Sequence, residues 1–182
     1  MLEKLNNRLD IVINCAGTIA RKSPLDYAIE DWSRVTDVNL FALALFFQQA
    51  AKHMIAEQIK GNLLTISSAM DKTVRLASSI PYNASKAALS HLVRHLALEY
   101  AQHDIRVNTI SPGWFVTEMT ARYFAEKKNQ SIADSLISHV PLKRIGQLDE
   151  LLGAVLLLIS PAGQYITGEV LRVDGGLTIN DI

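Results

Sequence analysis

Two side chains four positions apart carry the sharpest chemical signal in this sequence: Tyr82 and Lys86, in the run Tyr82-Asn83-Ala84-Ser85-Lys86. At that spacing on a helix the phenol and the ammonium share a face and can point into one cleft. A phenol with its ordinary pKa of about 10 is a poor acid–base group at neutral pH. A neighbouring cation favours the phenolate and brings the group toward the working range. Ser68, in Ile66-Ser67-Ser68 before that helix, adds a hydroxyl that can hold a carbonyl or alcohol oxygen beside the phenol. Tyr-x-x-x-Lys is also a common surface pair on helices, so the spacing alone does not fix the chemistry.

Other reactive residue types read more plainly. His91, His95 and Glu99 follow one another at i, i+4 and i+8, a spacing that suits a metal, but no fourth ligand accompanies them and no metal is expected. Cys15 reads as an inert small residue in a buried turn. Trp114 either lines the substrate cleft or packs beneath a lid.

The elements that must position these groups are read from hydrophobic pattern. Leu9 to Asn14 is a short β-branched run that stops at Ala16-Gly17, the pattern of a buried parallel strand. A helix is expected from Trp32 to Ile59, with Leu40 to Phe47 apolar nearly all round and therefore covered on more than one side. Further strands are expected at residues 62–67, 105–110 and 169–173, and helices at 81–102 and 148–159. The segment 117–139 reads as short helices in a lid. Strands alternating with helices predict an α/β fold with a parallel sheet.

Composition sets the bounds. The 182 residues carry 18 Lys plus Arg against 18 Asp plus Glu, so no net field attracts nucleic acid or an anionic membrane. Hydrophobic residues at 49% exclude a disordered chain, and one cysteine excludes an internal disulfide framework. The longest apolar stretch falls short of the roughly 20 residues that span a bilayer, and the polar N-terminus does not read as a signal peptide. Cytoplasmic localisation is the expectation.

The pieces occur in a telling order. Asn14-Cys15-Ala16-Gly17, Asp37-Val38-Asn39, Ile66-Ser67-Ser68, Tyr82-Asn83-Ala84-Ser85-Lys86 and Arg106-Val107-Asn108-Thr109-Ile110-Ser111-Pro112-Gly113 come first. Pro141 to Gly146, Tyr165 to Gly168 and Val173-Asp174-Gly175-Gly176 complete the set. Together they closely resemble the short-chain dehydrogenase/reductase family across essentially the whole chain. The resemblance implies a partial Rossmann-type, doubly wound parallel sheet made of the family's strands four to seven, forming one domain over residues 1–182. It also implies a nicotinamide cofactor, NAD or NADP, and reversible hydride transfer between an alcohol and a ketone.

Carried over position by position, Tyr82 matches the catalytic acid–base, and Lys86 the residue that lowers its pKa and binds the nicotinamide ribose. Ser68 matches the residue that holds the substrate oxygen. Its 14-residue step to Tyr82 is one longer than the commonest spacing, which makes Ser67 the poorer candidate. Asn39 matches the asparagine of a water-linked proton relay to the lysine. Asn14, Ala16 and Gly17 match the turn on the adenosine side of the cofactor. After Pro112-Gly113, the backbone at Phe115 and the side chain of Thr117 match positions that hold the carboxamide.

The family's cofactor turn, Gly-x-x-x-Gly-x-Gly after a first strand, has no counterpart among glycines 17, 61, 113, 146, 153, 163, 168, 175 and 176. Such a turn lets the pyrophosphate approach backbone N–H groups at a helix N-terminus. Its absence leads to the expectation of an N-terminally shortened member, lacking on the order of 70 to 80 residues at about 30 per βαβ unit. Weak cofactor binding and an exposed apolar edge along Ile11 to Ile13 are then expected. The alternative is a non-catalytic remnant or interaction subunit. The resemblance also implies a homo-oligomer through the 40–59 and 82–102 helices. The expected substrate is a small alcohol or ketone. Residues 151–154 and 165–168 resemble both sugar-acid dehydrogenases and 3-oxoacyl carrier-protein reductases, which leaves a sugar or sugar acid and a 3-oxoacyl carrier protein as candidate classes. Substrate choice is expected from Ala69 to Ile80, Trp114 and the 118–140 lid.

Overall fold

A computed structural model describes residues 8–74, 78–118, 120–124 and 130–179. Its four strands are β1 (Ile11–Asn14), β2 (Asn62–Ile66), β3 (Arg106–Pro112) and β4 (Val170–Val173), parallel and in the spatial order β1-β2-β3-β4. The helices are α1 (Ile29–Thr36), α2 (Ala42–Ala56), α3 (Ile80–Tyr100), α4 (Ala121–Phe124), α5 (Gln130–Ser138) and α6 (Asp149–Ile159). The expected α/β fold with a parallel sheet is what forms. Parallel neighbours need crossover connections, and α3 and α6 supply them for β2–β3 and β3–β4.

Register aligns the strands pair by pair: Leu63 lies beside Val107, Leu64 beside Asn108, and Ile66 beside Ile110. One face of the sheet packs Val12, Leu63 and Val107 against Leu43, Phe47, Met54, Leu89 and Val93 of α2 and α3. The other face packs Leu64 and Ile110 against Leu158 of α6. Fully burying such side chains contributes about 1.5–3 kcal/mol each before chain entropy is counted.

Three expectations change. The helix expected from 32 to 59 runs without a break from Ile29 to Ala56, with a π-helical turn at Asp37–Phe41 between α1 and α2. The Ala42 N–H reaches back to the Asp37 carbonyl, and this five-residue closure widens the turn around Asn39. The 40–47 stretch is not covered all round: Leu43 and Phe47 face the sheet, whereas Phe41, Leu45 and Phe46 are exposed. A helix on one side of a sheet buries one stripe within its own chain, and its outer face has no cover from that chain. Cys15 is also exposed rather than buried, because β1 is an edge strand and its carboxyl end opens onto a cavity.

Of the expected lid, residues 119 and 125–129 lie outside the described residues, as do 75–77 of the loop after Ser68. No described helix is long and apolar enough to cross a membrane.

Candidate active site

Parallel strands end together, so the loops leaving their carboxyl ends converge. Here a cavity of about 490 Å³ opens there, lined by Cys15 and Gly17 after β1, Ser67 and Ser68 after β2, and Pro112, Gly113, Trp114, Phe115 and Thr117 at and beyond the end of β3. Tyr82 and Lys86 of α3 form another wall. A larger cleft of about 850 Å³ lies at the amino ends of the strands, among Asp10, Lys60, Asp104 and Arg106. It holds none of the Ser68, Tyr82 and Lys86 set, all three of which line the smaller cavity.

Tyr82 stands in the first turn of α3, which Pro81 helps to open. It is 9% exposed, and the Lys86 ammonium, 4% exposed as a residue, lies 5.7 Å from its ring centroid. The ammonium donates to the Ile66 carbonyl at 2.8 Å, which anchors it to the end of β2. Ser68 is the N-cap of a short 3₁₀ turn, Ala69–Asp71, where its hydroxyl accepts from the Met70 N–H at 3.2 Å. The same hydroxyl interacts with the Tyr82 phenol. Ser67 turns away into the interior, toward Ser90 at 2.9 Å and the Lys86 carbonyl at 3.3 Å. The 14-residue step therefore still brings Ser68, Tyr82 and Lys86 together, and the 3₁₀ turn takes up part of that longer loop.

The electrostatics differ from the simple expectation of a cation-lowered phenol. Burial pushes the Tyr82 phenol up, the Ser68 hydroxyl and the Arg21 charge pull it down, and Asp71 adds to the rise. Burial brings Lys86 down to about 8, while Asp71 and Cys15 oppose that fall. In this geometry the ammonium is spent on Ile66, and desolvation outweighs any pull it exerts on the phenol.

Asn39 is buried in the π turn with its side chain fully engaged. Its Oδ1 accepts from the Thr18 N–H at 2.8 Å, and its Nδ2 donates to the Thr18 carbonyl and to Ser85 Oγ, each at 2.9 Å. The side chain thus ties the 14–18 turn to α3 and does not bond Lys86. Gly17 sits against both groups: a Cβ there would lie 3.6 Å from Asn39 Oδ1 and 3.8 Å from Lys86 Nζ. Asn14 ends β1, paired with Thr65, and Ala16 continues the turn. Beyond Pro112, Gly113 is dictated by a close approach, since a Cβ there would meet the Asp174 Cα at 2.7 Å. Thr117 lines the cavity, but the Phe115 carbonyl and the Thr117 N–H are both held by the Thr120 hydroxyl.

Three residues of this site escape the motif reading. Arg21 and Thr120 line the cavity, the first in a loop that reads only as polar. Asp71 sits behind it with its side chain buried. The Trp114 indole N–H is buried without a partner in the cavity wall, while its ring meets Phe124 edge-on at 6.3 Å. Trp114 therefore does both things its position allowed. The rings of His91 and His95 meet edge to face at 5.0 Å, and neither lines the cavity.

The donor set suits the ribose–nicotinamide end of a dinucleotide: a phenol, an ammonium and a close backbone approach at Gly17. Among the described residues no glycine-rich turn is present to receive a pyrophosphate.

Comparisons with known proteins bear on the sequence and the fold. The family model described as enoyl-(acyl carrier protein) reductase matches residues 1–178. Gluconate 5-dehydrogenase of Gluconobacter oxydans is 35% identical over 180 residues, covering 98% of this chain and 68% of the relative. Glucose 1-dehydrogenase 2 of Bacillus subtilis is 35% identical over 172 residues, with 94% and 65% covered. Among solved structures, a gluconate 5-dehydrogenase from Burkholderia cenocepacia in complex with NADP and tartrate superposes with a TM-score of 0.88 at 32% identity, covering 98% of this chain and 69% of that one. A short-chain type dehydrogenase/reductase from Mycobacterium marinum gives 0.89 at 32% identity, with 98% and 68% covered. The chain thus spans about two thirds of the length of the relatives it matches, and of some of them slightly less. On residues and fold alike, it belongs to the short-chain dehydrogenase/reductase family.

Proposed function

We propose that this chain carries the acid–base site of an NAD(P)-dependent oxidoreductase acting on a small hydroxy or keto compound, with a sugar acid as the favoured class. The observation that carries the reading is the convergence of Ser68, Tyr82 and Lys86 on one cavity at the carboxyl ends of parallel strands. A nicotinamide, when bound, accepts or supplies the hydride. Tyr82 moves the proton at the substrate oxygen, Ser68 orients that oxygen, and Lys86 holds positive charge beside the phenol. Asn39 orders the 14–18 turn against α3, and Gly17 and Thr117 bound the cofactor side. Arg21, a cation in the cavity wall, suits a substrate carboxylate, and the Trp114 N–H offers a donor to a hydroxyl. Relatives named for gluconate point to the same class.

The test is reduction of NAD⁺ or NADP⁺ by gluconate, and oxidation of NADPH by 5-ketogluconate, at millimolar cofactor with the purified chain. Slow turnover abolished by Tyr82→Phe and insensitive to Phe46→Ser is the expected result. Turnover that survives Tyr82→Phe removes Tyr82 from the mechanism.

A second reading is a non-catalytic interaction subunit. It is favoured by the exposed edge at Ile11 and Ile13, each 42% exposed. Absence of turnover at every cofactor concentration would select it. Assembly through the outer faces of α2 and α3, where Leu45, Phe46 and Leu98 are exposed, fits either reading. Sedimentation of Leu45→Glu against the parent chain tests it, with dissociation expected.

A further inference from the structure

Behind the cavity lies a buried ionic network that neither the motifs nor the acid–base roles use. Asp71, its side chain 2% exposed, accepts from Arg172 Nη1 at 2.8 Å and from Ser90 Oγ at 2.5 Å. The Ser111 hydroxyl lies 3.5 Å from the same carboxylate and accepts from Arg172 at 2.9 Å. With the Ser90 proton given to Asp71, Ser67 is the donor across the 2.9 Å Ser67–Ser90 contact. The network joins β4, the end of β3, the turn after β2, and α3.

Its position relative to the reacting groups gives it meaning. The Asp71 N–H donates to the Ser68 carbonyl at 2.8 Å, closing the turn that presents the Ser68 hydroxyl. Ser90, the other anchor, lies one helical turn beyond Lys86 and two beyond Tyr82, on the same face of α3. Burying a carboxylate costs several kcal/mol, and a packed apolar side chain would often serve stability as well. Placing that charge here needs a reason other than stability.

We propose that Asp71 is a positioning residue for the Ser68–Tyr82–Lys86 site: its carboxylate, clamped by Arg172 and Ser90, ties the Ser68 turn to α3 and supplies a fixed negative charge to the Tyr82–Lys86 pair. That charge favours the ammonium of Lys86 against its burial and resists ionisation of Tyr82. Arg172 limits the charge from the side of β4. Arg21 acts on Tyr82 in the opposite sense to Asp71, and Cys15 acts on Lys86 in the same sense. Glu118 also faces the cavity, and the Lys72 ammonium is turned to the Thr178 carbonyl. The proposal rests on Tyr82 and Lys86 being the acid–base pair, but its test needs no turnover.

The experiment titrates both groups in the purified chain. Isotope-labelled methyl groups on lysine report Lys86, assigned with Lys86→Arg, and the ultraviolet phenolate band reports Tyr82, assigned with Tyr82→Phe. In Asp71→Asn both midpoints should fall, Lys86 to below its starting value of about 8. In Arg172→Gln, which leaves the carboxylate without its cation, the Lys86 midpoint should rise. A purely structural Asp71 would lower the melting temperature and move neither midpoint. Unmoved midpoints in folded Asp71→Asn overturn the proposal. If Asp71→Asn does not fold, an unmoved Lys86 in Arg172→Gln does so. Failure of the oxidoreductase reading is seen separately, as turnover indifferent to Tyr82→Phe.

Discussion

The two flanks of the sheet are built to different standards. On the β3–β4 flank, Leu64 and Ile110 are fully buried against Leu158, Asp71 is clamped by Arg172, and Arg106 donates to the Leu158 and Ile166 carbonyls at 2.7 and 2.9 Å. On the β1 flank, Ile11 and Ile13 stand exposed on an edge strand; elsewhere Leu148, at the N-cap of α6, and Leu152 and Leu156 within it are also exposed. Spaced four apart, those three leucines form a stripe suited to a neighbour. The comparison shows where the chain is self-sufficient. Ser68, Tyr82 and Lys86 are held by contacts within the chain, whereas the flank beside β1 leaves apolar surface uncovered.

Substitutions should separate the flanks. The largest effect belongs to Phe47→Ala in the core between the sheet and α2 and α3, which should cost about 3–5 kcal/mol in a denaturant melt, because the ring is fully buried there. Gly113→Ala comes next, at about 1–3 kcal/mol, because the added methyl meets Asp174 backbone that cannot swing away. A loss below half that range in either case would mean the interior is looser than this packing implies.

The pH dependence gives a smaller effect. Lys86 falls from 10.5 unfolded to about 8 folded, so between those values the unfolded chain binds more protons at this site. Its contribution to stability therefore rises with pH from about 8 toward 10.5. Thermal melts should show the parent gaining on Lys86→Met across that interval. Parallel curves would contradict the burial of a charged Lys86. At the other flank, Ile13→Lys should change stability by no more than about 0.5 kcal/mol, as expected for an exposed site. It should nevertheless reduce self-association in light scattering. A large loss of stability there would erase the contrast.

Much of this was legible in the sequence because it depends on local pattern. Apolar runs between turns place the four strands and α3, and the i, i+4 spacing puts Tyr82 beside Lys86. What was not legible depends on geometry between distant segments or on how a turn closes. Nothing in Asp37-Val38-Asn39 announces the five-residue closure that widens one turn inside the expected helix. Asp71 and Arg172 are 101 residues apart, and only the β2–β3–β4 register makes them a pair. Arg21 lies in a loop whose polar composition says nothing about which way it folds. The phenol's rise likewise reflects burial, which spacing alone cannot report.

The most direct measurement titrates NADPH fluorescence with the purified chain. A chain that holds the acid–base end of the site without a glycine turn should saturate only toward millimolar concentrations, and Lys86→Ala should weaken that binding further. Saturation at micromolar concentrations, or binding unaffected by Lys86→Ala, would contradict the account.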